Sequence, residues 1–255
     1  MNTFLSDFLI GISSYFDAFK LIKNKRLAYL FLFPIVLCTG LAIGAFAIRH
    51  EIIEWISSHL DQWVNFDAWP EWLQGTGKGF LHIALLVLTW YLFYRFQKYV
   101  VLILLSPVLA YASEKTEEAL TGKKHPFSVM QFLKDMMRGM LIAIRNLFLE
   151  VVYTLLLLLV SLVPIFAPFT LLIGLIIGWY FFGYSMVDYH NERQKLSIRQ
   201  GNQLIRRRKG LVIANGMVFE FIFVIPILGF IVAPILSAMA AAIAMENTKK
   251  ISEHS

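Results

Sequence analysis

The chain has 255 residues, of which 58% are hydrophobic and 16% charged, with a net charge of +6 and a mean hydropathy of +0.65. Ordinary soluble domains are roughly 45–50% apolar, so the composition excludes a typical soluble enzyme and predicts one all-α integral membrane domain over residues 1–255. The basic residues cluster beside apolar runs, which is typical of headgroup-facing flanks and does not indicate nucleic-acid binding. The single cysteine, Cys38, excludes a disulfide framework and a thiolate metal site within the chain.

The first predicted elements are an amphipathic helix and a transmembrane helix. Apolar residues recur at helical spacing over residues 1–20, which predicts a helix in the membrane interface or, as the alternative, one packed on the protein's own surface. Charges follow this stretch and do not precede a short apolar core, so we expect no cleaved signal peptide. Lys25 and Arg26 precede the 22 uncharged residues 27–48. Because roughly 20 residues cross the hydrocarbon, this run predicts the first transmembrane helix.

The next three segments alternate between interface and membrane. Residues 49–79 are acidic and contain four of the six tryptophans, which favours an external segment at the membrane interface. Residues 80–105 form the second predicted transmembrane helix. The mixed charges of residues 106–138 predict a cytoplasmic amphipathic segment.

The longest uncharged run is residues 151–187, which has Pro164 and Pro168 near its middle. A soluble core could not cover 37 consecutive uncharged residues of this kind. We expect a helical hairpin over residues 139–187, with the two prolines as structural turn residues. Proline is common in the first turn of a helix and rare in its interior, so the two prolines mark the point where the chain reverses.

Residues 188–209 form a predicted basic loop that ends in four consecutive cationic residues. With the basic residues before the first transmembrane helix, this loop predicts that the N-terminus and the loop are both cytoplasmic. Asp188, His190 and Glu192 could in principle ligate a metal ion. Since they reach different faces of a helix, we expect a solvated boundary and no metal site.

The last apolar region, residues 210–245, contains Pro226 and Pro234, which divide it into predicted helices of about 16 and 11 residues. At 1.5 Å per residue these reach roughly 24 and 17 Å, less than the hydrocarbon thickness of ~30 Å. We therefore expect a second hairpin that turns back within the membrane, with an irregular connection over residues 227–233 shielded by protein. The two proline-bounded hairpins indicate a shared solute path, or they recur by chance.

Charged residues near or within apolar segments are the candidate functional residues, because an ionisable group in a membrane is costly. Arg26 is either an anion ligand or an interface anchor. Arg145 and Glu150 are either an ion pair or contacts with neighbouring helices, and Glu220 must pair with a cation or take up a proton. No HExxH, Walker loop, nucleophile elbow or paired-cysteine pattern occurs, so neither an enzyme, an ATP-driven pump nor a cofactor is expected.

Three stretches carry a resemblance to a known family. Residues 106–122 begin with Ser-Pro and continue with Ser-Glu, Glu and Gly; residues 184–190 end in Asp-Tyr-His; residues 225–244 contain Ile-Pro, a second proline and an alanine-rich run. In these stretches the chain resembles the CysZ sulfate-permease family and the wider etoposide-induced-protein superfamily. The resemblance implies a protein of the bacterial inner membrane with two long transmembrane helices, two partly penetrating hairpins and interfacial helices, assembled as a homo-oligomer.

The same resemblance implies the function. Members of the family pass sulfate inward for cysteine biosynthesis without an ATPase of their own, and they meet the anion at a Gly-Leu-Arg-like turn near the start of the first transmembrane helix. The corresponding stretch here is Lys25-Arg26-Leu27, which lacks the glycine and leaves Lys25 and Arg26 as the predicted anion ligands. Arg145, Glu150 and Glu220 are then expected to be pathway or assembly charges. The alternative is a non-transporting protein that organises or shapes the membrane through its lipid contacts.

Overall fold

A computed structural model describes residues 3–40, 43, 97–122, 128–225 and 228–253. The predicted external segment 49–79 and most of the predicted second transmembrane helix lie outside these residues. The chain separates into two compact units, residues 1–35 with 99–255, and residues 36–98. Most of the described residues belong to the first unit, which contains the sites described below.

The described part of the chain forms helices and no strand, which confirms the all-α prediction at that level. Four of the helices, α3, α4, α5 and α8, are long and apolar enough to cross a membrane. The helices are α1 (Thr3–Asn24), α2 (Leu27–Gly40, opening with the 3-10 turn Leu27–Phe31), α3 (Gln97–Thr121), α4 (Val129–Ser161), α5 (Ala167–Arg193), α6 (Ile198–Arg207), α7 (Lys209–Phe223) and α8 (Leu228–Glu253).

Local signals in the sequence account for several helix ends. Ser128 precedes α4 and accepts a hydrogen bond from the Gln131 backbone N–H, and Ser197 forms a capping box with Gln200 at the start of α6. The chain turns between α4 and α5 through the 3-10 turn Pro164–Phe166, and Pro168 follows in the first turn of α5. Pro226, the corresponding residue between α7 and α8, lies outside the described residues.

The prediction that Pro234 is a turn residue is wrong. Helix α8 begins at Leu228 and continues through Pro234, so most of the predicted irregular connection is helical. Ala233 and Ile235 are fully buried, and packing against neighbouring helices can retain a helix across a proline. Helix α8 has 26 residues and is therefore long enough to cross the hydrocarbon, contrary to the prediction. Helix α7 has 15 residues, which span roughly 22 Å, and it is too short to cross, as predicted.

Other helix boundaries also differ from the predictions. Helix α3 passes Pro107 and ends in the predicted cytoplasmic segment 106–138, and α4 begins inside that segment. Helix α5 continues to Arg193, and α6 occupies much of the predicted basic loop. Hydropathy underestimates α3, α4 and α5 because charges at their ends are paired with one another, as described below.

Helices α1, α5, α7 and α8 pack together, and α4 packs on α5. Glycines permit the closest approaches between α5 and α7. A Cβ atom on Gly183 would lie 1.9 Å from the Val212 carbonyl oxygen, and one on Gly216 would lie 1.9 Å from the Trp179 carbonyl oxygen. The two helices are therefore in backbone contact, as is common where small residues line membrane helix interfaces.

Helix α1 packs along α7. A Cβ atom on Gly210 would meet the Phe4 carbonyl oxygen, and the Tyr15 hydroxyl donates a hydrogen bond to the Asn215 carbonyl oxygen at 2.7 Å. The start of α1 therefore lies beside the start of α7, and the two helices run in the same direction where they meet.

The outward face of α1 is apolar and its inward face is partly polar. Asp7 and Ser14 are buried, whereas Leu9, Phe16 and Phe19 are exposed. This arrangement is the reverse of a surface helix in water, and it suits a helix whose outer face contacts lipid. Both sequence alternatives for this helix, packing on the protein and lying in the interface, are compatible with this orientation.

Candidate functional site

The two predicted anion ligands lie in the turn between α1 and α2. The Lys25 backbone N–H donates to the Leu21 carbonyl oxygen at 2.9 Å and closes α1. Arg26 follows with φ 53° and ψ 40°, in the left-handed region, and the side chains of both residues are exposed. Glycine is the residue that adopts this conformation without strain. Here Arg26, and not a glycine, adopts this conformation.

The turn exposes two cationic side chains at the start of an apolar helix. Arg26 is the N-cap residue of the 3-10 turn that opens α2, and no side chain caps that end. The first N–H groups of a helix lack intrahelical partners and form its positive end, so this end attracts anions. Leu27 and Leu30 are buried and fix the helix start, and the Tyr29 hydroxyl lies 3.4 Å from the Tyr111 hydroxyl of α3.

The other predicted charges do not share one environment. Arg145 is exposed on α4; its Nη1 donates to the Tyr184 hydroxyl at 3.2 Å, and its guanidinium lies 5.5 Å from the centre of the Tyr184 ring. Glu150 is buried and accepts a hydrogen bond from the Tyr99 hydroxyl at 2.5 Å. The structure thus gives Arg145 and Glu150 contacts on neighbouring helices. Glu220 is buried on α7.

A buried group of charges at the ends of α3, α4 and α5 was not predicted. We define the charged cluster as Glu114, Asp135, Arg138, Asp188 and Arg193. Nη1 of Arg193 lies 3.0 Å from Oε2 of Glu114 and 3.2 Å from Oδ2 of Asp135. Nε and Nη2 of Arg138 donate to the two carboxylate oxygens of Asp188 at 3.0 and 3.1 Å. Buried charges are tolerated when they are paired in this way.

Backbone and amide groups complete the bonding of the charged cluster. Nη2 of Arg193 donates to the Ala110 carbonyl oxygen at 3.1 Å, and Nη1 of Arg138 donates to the Leu196 carbonyl oxygen at 2.7 Å. Nε2 of Gln194 donates to Oε1 of Glu117 at 2.9 Å. These bonds fasten the ends of three helices to one another and to the residues after α5. Their number and burial indicate a structural role.

The prediction of a solvated boundary over residues 188–192 is wrong. Asp188, His190 and Glu192 are all buried, and Nε2 of His190 lies 3.8 Å from Oε1 of Glu246 on α8. Within the described ranges, no three His, Cys, Asp or Glu side chains are arranged to bind a metal ion. The sequence feature that could have indicated these buried charges is the spacing of Asp135 and Arg138. It places an acidic and a basic residue on one helix face next to an apolar run.

A smaller polar network joins α1, α7 and α8. The Ser237 hydroxyl donates to Oδ1 of Asn215 at 2.7 Å, and Nδ2 of Asn215 donates to the Ser237 carbonyl oxygen at 3.1 Å. Tyr15 donates to the Asn215 carbonyl oxygen, and burial raises the pKa of the Tyr15 phenol above its ordinary value. The phenol therefore remains a hydrogen-bond donor and fixes α1 on α7.

Comparison with known proteins gives one family. The sequence model of the family described as sulfate transporter CysZ/etoposide-induced protein 2.4 matches residues 14–234. No curated protein matches the chain. The matched range contains the turn at Arg26, the charged cluster, the hairpin of α4 and α5, and helix α7.

Proposed function

The chain belongs to the sulfate transporter CysZ/etoposide-induced protein 2.4 family, and we propose that it is a permease that conducts sulfate or a related inorganic oxyanion. Its apolar helices and its family make it a multi-pass membrane protein. Under this proposal it uses no ATPase of its own and lies in a bacterial inner membrane. The sulfate that it admits would feed sulfate assimilation and cysteine synthesis.

The observation that supports this proposal is the left-handed turn at Arg26. The turn presents Lys25 and Arg26 at the uncapped N-terminal end of α2. An oxyanion at this end would meet backbone N–H groups, the positive end of the helix and two cationic side chains. Arginine matches the geometry of tetrahedral oxyanions through its several donors, so we assign the main side-chain contact to Arg26.

The remaining predicted charges take separate places in the proposal. We assign Glu150 and Glu220, which are buried, to the path through the membrane, where their charge state would govern anion passage. Arg145 is exposed, so its place is at the surface of the protomer, as an assembly or lipid contact within a homo-oligomer. These assignments are part of the proposal and do not depend on the anion site at Arg26.

A cytoplasmic N-terminus is also part of the proposal. Nη1 of Arg208 donates to Oδ1 of Asp7 at 2.9 Å, so α1 and the basic residues before α7 lie at the same end of the helix group. The positive-inside rule assigns the basic segment to the cytoplasm. The contact between Asp7 and Arg208 extends that assignment to the start of α1.

Uptake of radiolabelled sulfate into liposomes tests the proposal. We expect saturable uptake by the wild-type protein and, for Arg26→Ala, a half-saturating sulfate concentration raised about tenfold or more, since a charge-assisted hydrogen bond contributes about 1.5–3 kcal/mol. Lys20→Ala is the matched control, because Lys20 is an exposed cation on α1 and its contact with Asp17 is long, at 3.7 Å. The control should transport like the wild type.

The rival function is a non-transporting protein that organises or shapes the bilayer. The exposed apolar face of α1 is the observation that favours it, because such a face can insert into one leaflet. Absence of saturable sulfate uptake at every lipid composition, together with protein-dependent deformation of the same liposomes, would support this rival and contradict the permease.

A further inference from the structure

Arg145 lies on a face of α4 that is otherwise apolar. Leu141, Ile144 and Phe148 surround it along the helix and are 62%, 52% and 66% exposed. In a membrane protein, exposed apolar residues of this kind face lipid. A charged side chain on such a face is costly unless it reaches the headgroups or a charged partner. The position of Arg145 therefore calls for a negatively charged group outside the described protein.

Two tyrosines lie close to Arg145, and a second arginine lies on α6, which Tyr184 contacts. The Tyr184 hydroxyl accepts a hydrogen bond from Arg145 and is also bonded to Oδ1 of Asn202 on α6. Asn202 is one turn before Arg206, so both residues lie on the same face of α6. Tyr180 is one turn before Tyr184, with 6.4 Å between the ring centres, and the charges of Arg145 and Arg206 both act on its hydroxyl. We call Arg145, Tyr180, Tyr184 and Arg206 the two-arginine surface.

The positive charge of the two-arginine surface is only partly compensated within the described part of the protein. Neither Arg145 nor Arg206 forms an ion pair with a carboxylate of a described residue. The charge of Arg145 acts on Asp188, but both oxygens of that carboxylate already accept hydrogen bonds from Arg138. Two cations thus remain available to one ligand at the boundary between α4, α5 and α6.

We propose that the two-arginine surface binds the phosphate of an anionic phospholipid. Two arginines can contact phosphate oxygens with several donors, and tyrosine is enriched at the headgroup level of membranes. Between Arg145 and the turn of the hairpin, α4 exposes a row of large apolar side chains along which acyl chains can lie. They are Phe148, Leu155, Leu156 and Leu159.

The apolar row distinguishes a lipid from a free oxyanion. A free sulfate or phosphate ion would contact the arginines and make no contact with the exposed leucines of α4. A phospholipid uses both parts of the site, because its phosphate and its acyl chains are covalently joined. This site also differs from the proposed transport site, which is on α2 and contains neither Arg145 nor Arg206.

Thermal unfolding of the full chain in detergent, titrated with dioleoylphosphatidylglycerol or dioleoylphosphatidylcholine, tests the proposal. We expect the anionic lipid to raise the unfolding midpoint more than the zwitterionic lipid. The double variant Arg145→Gln/Arg206→Gln should weaken the apparent affinity for the anionic lipid at least tenfold. The control Lys134→Gln/Arg207→Gln removes the same charge from exposed positions on the same two helices and should retain wild-type affinity. Both pairs are exposed, so both variants should fold.

Three results would overturn the proposal. The first is an equal loss of affinity in the two double variants, which would mean attraction by net charge alone. The second is stabilisation by sodium sulfate, above sodium chloride at equal ionic strength, that depends on Arg145 and Arg206 while the lipid has no effect, which would assign the site to a free oxyanion. The third is a change of oligomeric state in Arg145→Gln/Arg206→Gln without any change in lipid affinity, which would assign it to a second copy.

Discussion

Arg193 shows how single residues stabilise the cytoplasmic ends proposed for α3, α4 and α5. Its guanidinium contacts two carboxylates and one carbonyl oxygen, and its side chain is 9% exposed. A buried carboxylate that has lost its cation costs far more free energy than the ion pair itself contributes to stability. The importance of Arg193 therefore comes from the charges that its removal would leave behind.

We expect Arg193→Met to lower the free energy of unfolding by about 3–5 kcal/mol, because Glu114 and Asp135 would lose their shared cation. Arg199→Met, at an exposed position of α6, is the control and should change stability by less than about 0.5 kcal/mol. Thermal unfolding of both variants in the same detergent measures the difference. Equal stability of the two variants would contradict the structural role of the charged cluster.

At the scale of the helices, α7 packs between α1 and α5, and glycines line both contacts. Gly210 and Gly11 line its contact with α1, and Gly216 with Gly183 lines its contact with α5. Both sides of this short helix are thus in close contact with a neighbour. Any added atom on these faces must separate two helices.

Gly216→Ala should be destabilising although alanine is the better helix former. Its Cβ atom would lie 1.9 Å from the Trp179 carbonyl oxygen, and overpacking of this kind typically costs about 1–3 kcal/mol. In Gly40→Ala no described atom lies within 4 Å of the new Cβ, so we expect a gain of about 0.4–1 kcal/mol. Unfolding midpoints measure both. A stabilised Gly216→Ala variant would contradict the close packing of α5 and α7.

The sequence predicted the order of the helices better than their ends. Apolar runs and Pro164 marked the first hairpin, because a proline at a helix start agrees with local and tertiary structure alike. Pro234 misled the interpretation, since packing around buried Ala233 and Ile235 retains the helix there. Asp188 was interpreted as solvated because its partner, Arg138, is 50 residues away in the chain. Pairing over such distances is a tertiary property that hydropathy does not contain.

For the whole molecule, our expectation for the depth of the second hairpin rests on α7 and not on α8. Helix α7 reaches roughly 22 Å at 1.5 Å per residue. The Gly229 backbone N–H donates to the Ile225 carbonyl oxygen at 2.8 Å, and the rings of Phe223 and Phe230 are 4.6 Å apart, so α8 begins where α7 ends. The extra length of α8 extends past the start of α7, towards His190. We therefore retain the prediction that this hairpin turns back within the membrane.

Cysteine labelling tests the depth of this hairpin. In a Cys38→Ser background, Leu228→Cys at the exposed start of α8 should not react with a membrane-impermeant maleimide added outside intact cells. Gln203→Cys on α6 should react only when the reagent reaches the cytoplasm, and it is the control for a water-exposed site. Rapid external labelling of Leu228→Cys would mean that the hairpin crosses the membrane.

The account depends most on the claim that the Arg26 side chain, and not the turn alone, receives the anion. Arg26→Gly separates the two, because glycine adopts the left-handed conformation without strain while the Arg26 side chain, with its charge and donors, is removed. The most direct measurement is the concentration dependence of radiolabelled sulfate uptake into liposomes by this variant. The account predicts a half-saturating concentration raised about tenfold or more, as for Arg26→Ala. Uptake equal to that of the wild type would contradict it.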